Sequence, residues 1–305
     1  MQNQNNRRYT RREFLRSLSL TTLAGVSLPL LSSCSKEEAE DFLQKHFREM
    51  TPEEKKHVIA KLEERYSRKY GKRFEISTKG ALPDTLWGYG LELSRCIGCR
   101  RCVYACVKEN NNSRYKPQLH WIRVLRLKRG NLINLEDSEH YYDPPQVPEK
   151  DFLYLPVQCQ HCENPPCVKV CPVHATWQES DGVTVIDYDW CIGCRYCEAA
   201  CPYWARRFNF AKPSIPKERL NLDMAYLGNR PRRRGVMEKC HFCLQRTRAG
   251  RYPACVEVCP VGARKFGNVL DPASEVAYIL RTKRVFIQLK EELGTSPRFF
   301  YYFDV

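Results

Sequence analysis

Sixteen of the seventeen cysteines in this 305-residue chain fall into four groups of four. The first is Cys96, Cys99, Cys102 and Cys106; the third is Cys191, Cys194, Cys197 and Cys201. Both space their thiols x2, x2, x3. The second group, Cys159, Cys162, Cys167 and Cys171, is spaced x2, x4, x3. The fourth, Cys240, Cys243, Cys255 and Cys259, is spaced x2, x11, x3. A fourfold repeat of this kind fixes the architecture before any other feature does, because the chain must fold around whatever its thiols hold.

C-x2-C-x2-C-x3-C-P is the bacterial ferredoxin signature for [4Fe–4S] binding. Three thiolates on one tight loop reach three corners of a cube, and the next turn of chain carries the fourth cysteine away to a neighbouring cube. A proline after the fourth cysteine cannot continue a helix, so it turns the chain aside. Pro172, Pro202 and Pro260 follow this rule, whereas Val107 after Cys106 predicts a more helical exit. Two competing readings are a disulfide scaffold and structural zinc, for which the fourth group alone would pass. Four groups ending in x3, two with the full ferredoxin spacing, favour four [4Fe–4S] clusters. His161 and His241 sit beside ligands, but each group already has four cysteines, so both read as loop residues.

The formal charge of +15 points at first to an acidic partner. Sixteen thiolates on four oxidised cores carry about −8, so much of the basic excess compensates clusters. Arg100, Arg101, Arg195, Arg206 and Arg207 lie within a few residues of ligands. Positive charge there favours the reduced, more negative state and raises the potential. The run from Arg230 to Gly235, RPRRRG, reads either as a solvated loop or as a docking site for an acidic surface. No groove-reading motif accompanies it, so nucleic acid is not an expected partner.

Thr10 to Arg16, with Arg11 and Arg12 at its centre, resembles the twin-arginine export motif, and an uncharged, mildly apolar stretch follows to Ser33. That route carries folded cargo, which suits clusters assembled before export and argues against disulfides. Leu31-Ser32-Ser33-Cys34 matches a lipobox, so the seventeenth cysteine is expected to become an acylated N-terminus. The expected location is the outer, periplasmic face of the cytoplasmic membrane. No apolar run reaches the roughly 18 residues of a membrane-spanning helix.

Residues 35–48 and 51–70 read as helices. Ser35 with Glu38 and Thr51 with Glu54 form capping boxes, Pro52 suits a first helical position, and Gly71 suits an end. Val58, Ile59, Leu62, Tyr66 and Tyr70 make one apolar stripe, which packs either on the chain's own core or around a partner subunit. HWIRVLRLKRGNLINL reads as a hairpin turning near Gly130, FLYLPV as a strand, and ATWQESDGVTVIDY as a hairpin turning at Asp181-Gly182. A capped helix is expected near Asp271-Pro272 and a strand in RFFYYFDV. The fold class is α+β: two bacterial-ferredoxin-like two-cluster modules, with hairpin insertions and an N-terminal helical arm.

From Trp87 to Val305 the chain resembles the four-cluster iron–sulfur subunits of respiratory molybdopterin oxidoreductases. QCQHCENPPCVKVCPVHAT and VMEKCHFCLQRTRAGRYPACVEVCPVGARKFG carry the resemblance. DWCIGCRYCEAACPYWARRFNF is also similar to quinone-linked complexes, including alternative complex III and menaquinone reductase. The resemblance implies that the outer groups pair and enclose the inner ones. One cluster would take Cys96, Cys99, Cys102 and Cys259, and its partner Cys240, Cys243, Cys255 and Cys106. The inner pair would take Cys159, Cys162, Cys167 and Cys201, and Cys191, Cys194, Cys197 and Cys171. The implied divisions are a signal at 1–33, an arm or linker at 34–83 and an outer module at 84–120 with 228–270. An inserted hairpin at 121–158, an inner module at 150–216 and a C-terminal helix and strand at 271–305 complete them. The implied role is electron transfer without catalysis. Its partners would be an integral-membrane quinone-binding subunit and a catalytic molybdopterin subunit. A multihaem cytochrome in place of the molybdenum enzyme is the alternative, and a zinc-bearing structural lipoprotein the remote one.

Overall fold

The computed structural model describes residues 45–304, apart from 115–117, 131–134, 136–139, 141, 144 and 284–285. The export motif with Arg11 and Arg12, the lipobox Cys34 and most of the helix read over 35–48 lie outside the described residues. Of that helix only 45–48 are described, and a 3-10 turn, Phe47–Glu49, occupies its end.

Helix α1, Pro52–Tyr70, starts and stops where its capping residues dictate. Thr51 and Glu54 exchange both capping-box hydrogen bonds, and Gly71 closes the helix in the left-handed region. Ile59, Leu62, Tyr66 and Tyr70 are buried in the chain's own core, so the stripe serves this molecule. The Tyr66 hydroxyl donates to the Pro231 carbonyl at 2.9 Å, and Phe47 stacks on Tyr226 at 4.3 Å. Strand β1, Glu75–Ser77, then pairs in parallel with β8, Asp223–Ala225.

Four strands build the main sheet, in the order β10-β2-β12-β11. Strand β2 is Trp87–Glu92 and β10 is Arg264–Asn268; they pair antiparallel, Leu91 opposite Arg264. Strand β12, Phe299–Tyr302, lies parallel to β2, and β11, Phe286–Ile287, lies antiparallel to β12. The chain leading into the first cysteine group is thus zipped to the chain leaving the fourth. Tyr89 and Phe299 stack at 4.4 Å in the core beneath.

The small elements sharpen two expectations. Strand β3, Arg123–Lys128, pairs along its whole length with β4, Phe152–Val157; its expected hairpin partner is the stretch after Gly130. That stretch lies largely outside the described residues; β4 supplies an apolar strand that matches β3. The C-terminal helix, α7, runs Glu275–Thr282 and is capped by Ser274, whose hydroxyl accepts from the Ala277 amide. Asp271 instead accepts from the Ala273 amide in the turn before it. The other two-stranded pairings are β5 with β6, Thr176–Gln178 against Thr184–Ile186, and β7 with β9, Arg207–Phe208 against Met237–Glu238.

RPRRRG is not a wholly solvated loop. Arg230 and Arg232 are buried while Arg233 and Arg234 are exposed. Arg230 pairs with Asp189 at 2.9 Å, and Arg232 with Glu238 at 3.0 Å. The run is divided between internal ion pairs and solvent.

Candidate cluster sites

Three of the four cysteine groups are built the same way. A loop presents the first two thiols, one short helix holds the third, and the fourth follows that helix. Cys167, Cys197 and Cys255 sit in α3, Pro166–Lys169, α4, Tyr196–Ala199, and α6, Ala254–Glu257. All three helices end just before the Cys-Pro pair. In the first group, which lacks the proline, α2 continues from Arg101 to Glu109 and carries both Cys102 and Cys106. In the fourth group, α5, Leu244–Thr247, and its exit loop occupy the eleven-residue gap. Helix α2 packs on α6, and α3 on α4, so the groups meet two by two.

Two glycines make the loops possible. Gly98 and Gly193 occupy equivalent places in the two CIGC runs, with φ +72° and +71°. Their amides donate to the thiols of Cys96 and Cys191. A Cβ at Gly98 would stand 2.3 Å from the Tyr154 ring, and one at Gly193 2.0 Å from the Gly235 carbonyl oxygen.

The thiols gather into four sets. Cys96 faces Cys102 and Cys259, and Cys102 also faces Cys99. Cys106 faces Cys243, Cys240 and Cys255. Cys162 faces Cys159, Cys167 and Cys201. Cys191 and Cys197 both face Cys171; Cys194 follows on the same loop and is the one exposed thiol among the described cysteines. Each of these neighbourhoods includes a thiol from the other group of its pair, as Cys259 beside Cys96 and Cys201 beside Cys162. Further thiols act on one another across these neighbourhoods. Cys102 faces Cys255, Cys240 faces Cys159, and Cys197 faces Cys167.

All sixteen are free thiols, with no disulfide among the described residues. Among the described residues no set converges on a point that one metal ion would fill. Burial, reinforced by neighbouring thiols, pushes Cys162 and Cys197 up to about 12. Burial likewise takes Cys243 to about 12, and it puts Cys106 and Cys240 well above the ordinary thiol range. Iron stabilises the thiolates that burial disfavours, so binding releases protons.

Of the residues around the sets, Arg264 and Asn110 were not singled out from the sequence; Arg100, Arg195, Arg206, His161 and His241 were. The Arg264 guanidinium donates to Cys102 Sγ at 3.3 Å, as the Arg206 guanidinium does to Cys167 Sγ at 2.9 Å. The signal for Arg264 was present: Cys-Pro-x-x-Ala-Arg recurs at Cys201–Arg206 and Cys259–Arg264. The Asn110 amide nitrogen lies 3.5 and 3.6 Å from Cys106 and Cys243 Sγ. Arg100 and Arg195 adopt left-handed N-cap positions of α2 and α4. His161 and His241 are buried, and each Nδ1 accepts a backbone amide at 3.1 Å, from Thr184 and Leu244. Burial holds both imidazoles well below their usual pKa, hence neutral.

The chain matches a family model described as a 4Fe-4S dicluster domain over residues 150–232 and 227–269. A second model of that description matches residues 95–175. It is 39% identical over 243 residues to the Hdr-like menaquinol oxidoreductase iron-sulfur subunit 1 of Archaeoglobus fulgidus, covering 70% of this chain and 82% of that protein. It is 37% identical to the menaquinone reductase iron-sulfur cluster-binding subunit of Nitratidesulfovibrio vulgaris, over 70% of this chain and 88% of that one. Identity is 33% to the arsenate respiratory reductase iron-sulfur subunit of a Shewanella species, over 70% and 94%. Sixteen grouped cysteines and the dicluster matches together give four [4Fe–4S] clusters.

Proposed function

The chain belongs to the 4Fe-4S dicluster family of iron–sulfur, electron-transferring subunits of oxidoreductase complexes, and from that premise we propose that it is a four-cluster relay between a quinone-binding membrane subunit and a catalytic subunit. When bound, each cluster takes up and gives back one electron. The chain's own part is to hold the thiolates, exclude water and set the spacing.

The observation that carries this reading is the linear order of the thiol sets. Cys96, Cys99, Cys102 and Cys259 hold the first cluster, and Cys240, Cys243, Cys255 and Cys106 the second. Cys159, Cys162, Cys167 and Cys201 hold the third, and Cys191, Cys194, Cys197 and Cys171 the fourth. Cys102 and Cys255, Cys240 and Cys159, and Cys167 and Cys197 act on one another electrostatically, which supports an arrangement in which consecutive clusters are neighbours. At the far end Cys194 is exposed beside Arg195 and the exposed rings of Tyr196 and Phe210. Such exposed aromatics suit contact with the membrane-embedded partner, which leaves the Cys99 end for the catalytic subunit. Similarity to menaquinol- and menaquinone-linked subunits supports the quinone side, and similarity to an arsenate respiratory reductase subunit supports a reductase on the other.

The outer module takes 84–120 with 228–270, and the inner module 150–216. The twin-arginine segment with Arg11 and Arg12 exports the folded chain, and acylated Cys34 holds it at the outer face of the membrane. Electron paramagnetic resonance on single Cys→Ser variants tests the relay: each must weaken the signal of its assigned set. Two variants assigned to one set that remove different signals would overturn the assignment. Purification with native partners tells a molybdopterin enzyme from a multihaem cytochrome. Mass spectrometry of the mature N-terminus tests Cys34, and an unmodified thiol there would remove the anchor.

A further inference from the structure

Three buried arginines of this chain are matched by carboxylates: Arg230 by Asp189, Arg232 by Glu238 and Arg248 by Glu179. Arg206 and Arg264 are buried too, but the anionic neighbours that act on them are cysteines and a tyrosine rather than carboxylates. A cation taken out of water needs an anionic partner. Here the partners are thiolates drawn from two sets at once.

Arg264 donates to Cys102 of the first set at 3.3 Å. Its other nitrogen donates to the Tyr89 hydroxyl at 3.0 Å, and that hydroxyl lies 3.3 Å from Cys255 Sγ of the second set. Arg264 also donates to Gln158 Oε1 at 3.0 Å, and the Gln158 amide nitrogen lies 3.9 Å from Cys240 Sγ, again of the second set. Arg206 donates to Cys167 of the third set at 2.9 Å and faces Cys197 of the fourth. Its Nη1 is buried with no hydrogen-bond partner among the described residues. Between the second and third sets lies Lys239, also buried, whose ammonium donates to the carbonyls of Thr184 and Cys240 and faces Cys159 and Cys167.

The sequence repeat explains why each module has one such arginine. Five residues after the last cysteine of each group stand Asn111, Thr176, Arg206 and Arg264. Within each pair of groups one position is cationic and the other neutral. In the inner pair the neutral one, Thr176, accepts from Arg206 through its hydroxyl at 3.0 Å. In the outer pair the neutral position, Asn111, turns instead to the carbonyls of Asn221 and Asn229.

We propose that Arg264, Lys239 and Arg206 form a series of buried cations, one at each junction of the four clusters, and that each raises the reduction potential of both clusters it separates. An electron added to either neighbour is attracted to the shared cation, and the cation offsets repulsion between electrons on adjacent clusters. This holds both clusters of a module in one potential range, so that one electron leaving a reduced cluster enters an oxidised neighbour without a steep step. The proposal rests on the ligand sets given above.

The test is a redox titration, followed by electron paramagnetic resonance, of the full cluster-loaded chain. Arg264→Gln should lower the reduction equilibrium constant of both the first and second clusters about tenfold, or about 59 mV for one electron, and leave the fourth within about threefold. Arg206→Gln should do the same to the third and fourth and spare the first. Lys239→Gln should lower the second and third. Movement of one cluster only, or of none, would overturn the proposal. If an arginine-to-glutamine variant retains fewer than about sixteen iron atoms, the corresponding Arg→Lys variant decides: it keeps the charge, so both potentials should stay within about threefold of wild type, and a tenfold fall would refute the role of charge. Cys102→Ser and Cys255→Ser distinguish the two levels of failure. They must disturb different signals; if they remove the same one, the ligand sets are wrong.

Discussion

The inner module is local and the outer one is not. Its two cysteine groups lie within residues 159–201 and are linked by the β5–β6 hairpin; Cys167, Cys191 and Cys197 sit in a small core with Val173, Ile186, Tyr188 and Trp190, while Cys159 and Cys162 join the large central core. The outer module joins residues 96–106 to 240–259 and relies on β2 pairing with β10 and on α2 packing against α6. Its thiols share the large central core with Tyr89, Phe242, Phe266 and Phe299. Two modules with one ligand logic therefore differ in what closes them. The inner closes by a tight turn, and the outer by a sheet that forms only when distant segments meet. Non-local closure costs more chain entropy before it yields contacts.

The most disruptive way to probe this difference is to remove a thiol that crosses between groups. Cys259→Ser should abolish the signal shared with Cys96, Cys99 and Cys102, and Cys171→Ser that shared with Cys191, Cys194 and Cys197. Each should cost about four of some sixteen irons, measured by iron analysis. The outer substitution should also slow refolding more, because its cluster ties residues far apart in sequence.

Gradual loss of iron should separate the modules next. With Cys194 exposed, a chelator should take the fourth cluster first, visible as stepwise loss of one signal. Acid should promote release from every site. Free thiols bind protons that iron displaces, and burial holds Cys106 and Cys240 well above the ordinary range, so loading falls as pH falls. Reloading of the outer module at a fixed pH should lag that of the inner, as followed by resonance spectra.

Gly193→Ala and Gly98→Ala compare the two CIGC loops directly. Each adds a Cβ in the left-handed region, costing about 1–2 kcal/mol. The inner change meets the backbone oxygen of Gly235 and the outer a side-chain ring, so Gly193→Ala should be the more destabilising by thermal unfolding. The smallest expected effect is Thr51→Ala. Loss of the α1 cap should cost about 1 kcal/mol and leave the four cluster signals in unchanged proportion, since α1 carries no thiol.

Much of this was legible from local chemistry. The Thr51–Glu54 box and Gly71 set the limits of α1, and the absence of proline after Cys106 foretold the longer α2. The turn at Gly182 foretold the β5–β6 hairpin. What was not legible depended on partners distant in sequence. Strand β3 found β4 because an extended apolar strand pairs with whichever edge the fold offers it. RPRRRG looked like one basic surface, yet Asp189 and Glu238 draw two of its arginines inside.

By itself the sequence determined the cofactor class and its number, because cysteine spacing along a loop sets which corners of a cube three thiolates reach. Tertiary structure decided the rest. Whether the apolar stripe of α1 served this chain or another, which thiol sets adjoin, and which cations lie between them all depend on segments that are far apart in the chain. Hydrophobic burial and charge pairing act on distance in space, and spacing along the chain records neither.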